Sequence, residues 1–190
     1  MMGTTMTTPD LSILAGDLAA DLDGAFADYV RATADGIYSG ALRMLGDRSD
    51  AEDVMQETYA RAYTALKGYS LQRVRSLKVR GWTWTIAANL CRNRMRSRAR
   101  KPTRSLEGID IAADGQTTDE VALPDIGAEL QSALLDLSFP QRAAVVLRHV
   151  LDLTYEEVAA ALDRPLGTVK ADVHRGLARL RQGYPEEEVR

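Results

Sequence analysis

Apolar residues in this chain recur at helical spacing almost from end to end, and the alternation of a half-buried strand is nearly absent. Residues 11–22 and 24–45 read as helices, with Gly46 as a stop. Ser49, followed three residues later by Glu52, has the form of a capping box, in which two side chains satisfy free backbone N–H groups. From there Ala51, Val54, Met55, Thr58, Ala62 and Leu66 fall on one face. A further helix is expected from about Gly81 to Arg100, then two over 126–137 and 140–150. Thr154 with Glu157 repeats the capping box and opens 155–162. Pro165 sits near the start of a last helix over about 165–182. The expected class is all-α: a helical domain over 11–101 and a smaller one over 126–184, behind a disordered tail at 1–10.

The net charge of −3 conceals a strong segregation. Residues 1–60 hold 3 basic and 11 acidic side chains, residues 61–104 hold 13 basic and no acidic ones, and residues 105–190 hold 8 basic and 16 acidic. A long segment without a carboxylate carries a positive field that attracts a polyanion. Behind it, residues 105–129 hold seven acids and no base, in a Gly-, Thr-, Asp- and Ala-rich stretch. That composition reads as a flexible acidic linker, placed at 102–125.

Chemistry of its own is not expected. Cys91 is the one cysteine, which excludes a disulfide framework and reads as a small core residue. His149 and His174 are the only histidines, so no metal centre is expected. No nucleophile–base pair or phosphate-binding Gly loop is present, and no cofactor or small-molecule substrate is expected. The Thr-rich N-terminus lacks the basic and apolar regions of a signal peptide, and no apolar run reaches the ~18–20 residues of a membrane span. A cytoplasmic, non-enzymatic protein without membrane insertion is expected.

Three constellations remain. In DAEDVMQETYARAY, Asp53, Gln56 and Glu57 share an outward face, with Asp50 at its start. In RGWTWTIAANLCRNRMRSRARK, Thr85, Asn89, Arg92, Asn93 and Arg96 form one stripe, cationic and rich in amides that can bond base edges as well as phosphate. Trp82 and Trp84 stand at its N-terminal end, and aromatics beside arginines suit stacking on unpaired bases. One is expected to pack and the other to face nucleic acid. In LTYEEVAAALDRPLGTVKADVHRGLARLR, a short capped helix, a turn and a longer helix match helix-turn-helix spacing. There Val169, Val173, Leu177 and Leu180 face inward, while Thr168, Ala171, His174 and Arg175 lie roughly opposite, flanked by Lys170.

These three segments, in this order across an acidic linker, resemble the extracytoplasmic-function class of bacterial RNA polymerase sigma factors, which keeps two domains, σ2 and σ4. The resemblance covers roughly residues 24–101 and 126–182. It implies that Asp50, Asp53, Gln56 and Glu57 dock on the β′ clamp coiled coil of core polymerase. It implies that Trp82, Trp84, Asn89, Arg92, Asn93 and Arg96 melt and read the −10 promoter element. SFPQRAAVVLRHV, residues 138–150, resembles the region that meets the β flap. Arg164, Thr168, Lys170, Ala171, Asp172, His174 and Arg175 fall in the region that reads the −35 element. Family members often carry a basic residue at the place of Asp172 and an apolar one at the place of Arg164; Asp172 is expected to repel a nearby phosphate or to accept from a cytosine amine. An anti-sigma partner is also implied.

Two promoter elements one and a half to two turns apart lie roughly 50–70 Å apart. The 23 residues from Pro102 to Pro124 average only ~25–30 Å as a free coil. The free chain is therefore expected to be compact or variable in arrangement, with core polymerase holding the halves apart. The rival readings are a helix-turn-helix regulator with an N-terminal sensor domain, and a nucleic-acid-processing enzyme. The first leaves the basic, amide-bearing stripe beside tryptophans unexplained. The second lacks carboxylates in the basic segment to hold Mg²⁺.

Overall fold

The computed structural model describes residues 11–100 and 127–183, and the regular structure among them is entirely helical. The tail at 1–10 and the linker at 102–125 lie outside the described residues. The first half comprises α1 (Leu11–Ala20), α2 (Leu22–Leu45), α3 (Arg48–Lys67), α4 (Leu71–Arg75) and α5 (Val79–Arg100). The second comprises α6 (Ala128–Leu135), α7 (Phe139–Val145) with a π-helical turn over Val146–Val150, α8 (Tyr155–Leu162) and α9 (Leu166–Gly183).

Gly46 ends α2 as expected. It adopts φ 70°, and its N–H returns 2.8 Å to the Leu42 carbonyl. The capping box at Ser49 and Glu52 does not form. Asp47 caps α3 instead, accepting from the Asp50 N–H at 2.8 Å, so Ser49 already lies inside the helix. A carboxylate placed directly after the left-handed glycine meets the free N–H groups first and adds its charge to the helix N-terminus. The box at Thr154 and Glu157 does form, with both reciprocal bonds in place.

In the first half α2, α3 and α5 enclose Ile37, Met44, Val54, Ala62, Ala87 and Cys91. Tyr29 is fully buried there, its hydroxyl 2.7 Å from that of Thr83. Burial lifts the phenol of Tyr29 above its ordinary range, and that of Tyr59 up to about 12. In the second half Leu147, Val158, Val169 and Val173 form the core. Gly176 lets α9 approach α7 closely, since a Cβ there would lie 2.7 Å from Val145 Cγ2.

The halves share one apolar core and pack on each other. Gly40 on α2 leaves room for Trp84 of α5 and Leu151 of the second half; a Cβ would meet Leu151 Cδ1 at 2.7 Å. The C-terminus of α2 receives Arg142, whose guanidinium donates to the Met44 carbonyl at 2.7 Å. Arg98 of α5 donates to the neighbouring Leu45 carbonyl at 3.0 Å. These carbonyls carry the negative end of the helix dipole, so cations from both halves converge on that end.

Candidate nucleic-acid interface

The seam between α3 and α5 is electrostatic. Arg94 donates to Asp50 at 2.6 Å and to Asp53 at 3.0 Å, and Arg98 pairs with Asp50 and, at 3.4 Å, with Asp47. Burial opposes the charge on Arg94, but its bonds to the two carboxylates outweigh that and raise its pKa. Asp50 and Asp53, expected on an outward docking face, are thus tied to the chain's own basic helix. Gln56 is exposed, and Glu57 is half-buried beside Arg61, with which it pairs at 2.5 Å. Asp53 stays 55% exposed beside Gln56 and Glu57, so these three present the open part of that face, and Asp50, 22% exposed, lies furthest within it.

A surface groove of about 240 Å³ runs between the same helices, lined by Arg61, Ala65, Tyr69, Trp82, Thr85, Ile86 and Asn89. Trp82 is half-buried and meets the Tyr69 ring edge-on, with centroids 6.1 Å apart. The Arg73 guanidinium lies 3.7 Å over the other aromatic, Tyr69. Trp84, in contrast, is only 3% exposed and packs against α2, so it supplies core and not the stacking surface assigned to it. The expectation that one tryptophan packs is met by Trp84. Tyr69 and Arg73 went unassigned in the sequence, although an aromatic and an arginine stand close together in KGYSLQR.

The polar stripe of α5 is divided. Asn93 and Arg96 are exposed. Asn89 donates to the Thr85 carbonyl at 2.9 Å and accepts from Arg92 at 2.9 Å. Arg92 is directed across to the second half, where it donates to the Leu162 carbonyl at the end of α8. Burial and then the neighbouring charge of Arg96 push Arg92 below the ordinary arginine range. Gly81, at the other end of the stripe, lies close to Glu157 of α8. The helix-turn-helix therefore sits along part of the face that the sequence assigns to nucleic acid. Cys91 is fully buried, which lifts its thiol to about 12.

In the helix-turn-helix, Asp163 takes the left-handed conformation at φ 51° and turns the chain from α8 towards α9. Val169 and Val173 are buried, and Leu177 and Leu180 pack partly against the core, as the spacing predicts. Lys170, His174 and Arg175 are exposed, while Thr168 and Ala171 are half-buried. The Lys170 ammonium lies 5.6 Å from the Tyr155 ring. Asp172 departs from expectation. Its side chain is 6% exposed, with Arg164 on one oxygen at 2.5 Å and Arg175 on the other at 2.7 Å. Buried and neutralised by the two guanidinium groups, it does not present a bare carboxylate to phosphate or cytosine. Arg142 also escaped assignment: its burial at 5% exposure depends on the fold of the other half, which local spacing does not carry.

Residues 29–101 match the family model Sigma-70 region 2, and residues 127–180 match Sigma-70, region 4. The chain is 34% identical over 170 residues to the ECF RNA polymerase sigma factor SigW of Bacillus subtilis, covering 83% of this chain and 88% of that protein. It is 34% identical over 159 residues to the RNA polymerase sigma-E factor of Streptomyces coelicolor, covering 83% of this chain and 84% of that protein. Among solved structures, its fold is similar to the sigma factor RpoE in complex with the anti-sigma factor NepR from Bartonella quintana. That match has a TM-score of 0.66 at 23% identity, over 85% of this chain and 98% of the other.

Proposed function

The chain belongs to the extracytoplasmic-function RNA polymerase sigma factors, and on that premise we propose how its surfaces divide the work of initiation. The protein binds core RNA polymerase and directs promoter-specific transcription initiation, as a non-enzymatic factor. Asp53, Gln56 and Glu57 make the contact to the β′ clamp coiled coil, while Asp50 braces that face through Arg94 and Arg98. The groove between α3 and α5 takes unpaired bases of the −10 element. Trp82 and Tyr69 offer stacking surface, Asn89 an amide, and Asn93 and Arg96 reach the strand beyond it. The exposed side of α9 reads the −35 element, and the segment 138–150 meets the β flap. An anti-sigma factor controls the protein, and it acts in the cytoplasm; no described helix is long and apolar enough to cross a membrane.

The groove carries this reading. Its aromatic lining, amide and arginine lie within the segment matched by region 2, where a single strand needs stacking and phosphate neutralisation together. Reading both elements also requires the halves to separate, because Arg92 is bonded to the second half in the free chain. The test is gel filtration with core RNA polymerase and, separately, with promoter DNA. A complex of the chain with core, and weak binding of the free chain to DNA, is the expected result. A helix-turn-helix regulator would bind promoter DNA unaided and leave core polymerase unbound.

A further inference from the structure

Two arginines share one buried carboxylate in the helix-turn-helix, and the geometry points to Asp172 as a positioning residue that sets base preference through Arg175. This inference rests on the reading of α9 as the −35 helix.

Asp172 stands among the inward positions Val169 and Val173 of α9, yet carries a charge at 6% side-chain exposure. Its Oδ2 accepts from Arg164, in the turn before α9, and its Oδ1 accepts from Arg175, one turn further along the helix. A carboxylate held between two guanidinium groups is a fixed anchor. Arg175 is 56% exposed, and its chain neighbour His174 is exposed as well. One of its terminal nitrogens is taken by Asp172. Its other donors remain available in a plane that the anchor has set.

An unanchored arginine on a helix surface samples many rotamers, and most serve a phosphate as well as a base. A guanidinium fixed in one plane favours the fork that matches the O6 and N7 acceptors of guanine. Stability gives weak grounds for burying this charge, since an apolar residue often serves as well at such a position. Arg164 is 33% exposed and fills the second oxygen, so the carboxylate is held from both sides while Arg175 keeps its bond to Asp172 and meets DNA through its remaining donors. Asp172 thus acts on base choice without touching DNA, which replaces the direct cytosine contact expected from sequence.

The experiment uses holoenzyme formed with core RNA polymerase and a panel of promoters varied at each −35 position. Arg175→Ala should abolish discrimination at one position of the panel. Asp172→Asn should reduce discrimination at that same position ~5-fold or more, a share of what a bidentate arginine–guanine pair supplies. Binding to a scrambled −35 element should hold or rise. In an Arg175→Ala background, Asp172→Asn should change base preference no further. Unchanged preference in a folded Asp172→Asn protein would overturn the inference, as would an equal change without Arg175. Should Asp172→Asn fail to fold, Asp172→Glu keeps the charge and displaces the carboxylate. A shifted preference then supports the inference, and an unshifted one overturns it. If Arg175→Ala and Lys170→Ala together leave −35 dependence intact, the reading of α9 itself fails, a result distinct from the others.

Discussion

Arg142→Met should loosen the closed arrangement while leaving both halves folded. Arg142 is 5% exposed and joins the halves through its 2.7 Å bond to the Met44 carbonyl. A second bond, to the Leu137 carbonyl at 3.3 Å, stays within its own half. A hydrogen bond from a charged donor contributes ~1.5–3 kcal/mol. Placement at the negative end of α2 adds ~0.3–1 kcal/mol. Burial lowers the Arg142 pKa, which marks the desolvation that offsets part of this gain. Methionine fills similar space without that cost. A net loss of ~1–2 kcal/mol across the interface should shift the closed–open balance about 5–30-fold towards open. Spin labels at Ala60→Cys on α3 and Arg179→Cys on α9, both exposed sites, report the separation by pulsed electron resonance. The variant should gain a population at longer distance. Arg142→Lys, which keeps the charge with fewer donors, should fall between. An unchanged distance distribution in a folded Arg142→Met protein would refute the reasoning.

Three further outcomes are expected. Changing Gln56 and Glu57 together to Ala should alter unfolding stability by within ~0.5 kcal/mol, yet clearly weaken co-purification with core polymerase; unchanged capture would remove these residues from the contact. Trp84→Ala should cost ~3–5 kcal/mol in denaturant unfolding, whereas Trp82→Ala should cost less and instead slow promoter opening, read by permanganate reactivity of the melted strand. Stability should fall as pH rises above about 9. The Cys91 thiol then ionises in the unfolded chain while burial holds it neutral up to about 12 in the folded one, and Tyr59 repeats this above about 10. A flat stability profile between pH 8 and 11 would contradict those burial effects.

The helices were legible where periodicity and caps agreed. The box at Thr154 and Glu157 and the span Tyr155–Leu162 are local, so they could be read directly. The box at Ser49 misled because a stronger cap, Asp47, lay two residues upstream after Gly46. The five residues of α4 are too few to show a period. The candidate site was legible as residue types but not as partners. Spacing places Asp50 and Asp53 on one face, yet only the approach of α5 reveals that Arg94 and Arg98 occupy them. Spacing likewise sets Asp172 on α9, but its burial depends on Arg164 beyond the turn. The contact of Arg92 with the end of α8 joins residues 70 apart in sequence, a separation no local pattern encodes.

Run-off transcription tests the central claim most directly. Core RNA polymerase, the full chain and genomic fragments are combined, with core alone and chain alone as controls. The account predicts discrete transcripts only when core and chain are both present, lost when either promoter element is scrambled. The same fragments should yield clearly less of each discrete transcript when Gln56 and Glu57 are both changed to Ala, since less core would then carry its specificity subunit. Transcripts that require a second, unrelated initiation factor would contradict the account, because the chain would then regulate initiation without directing it.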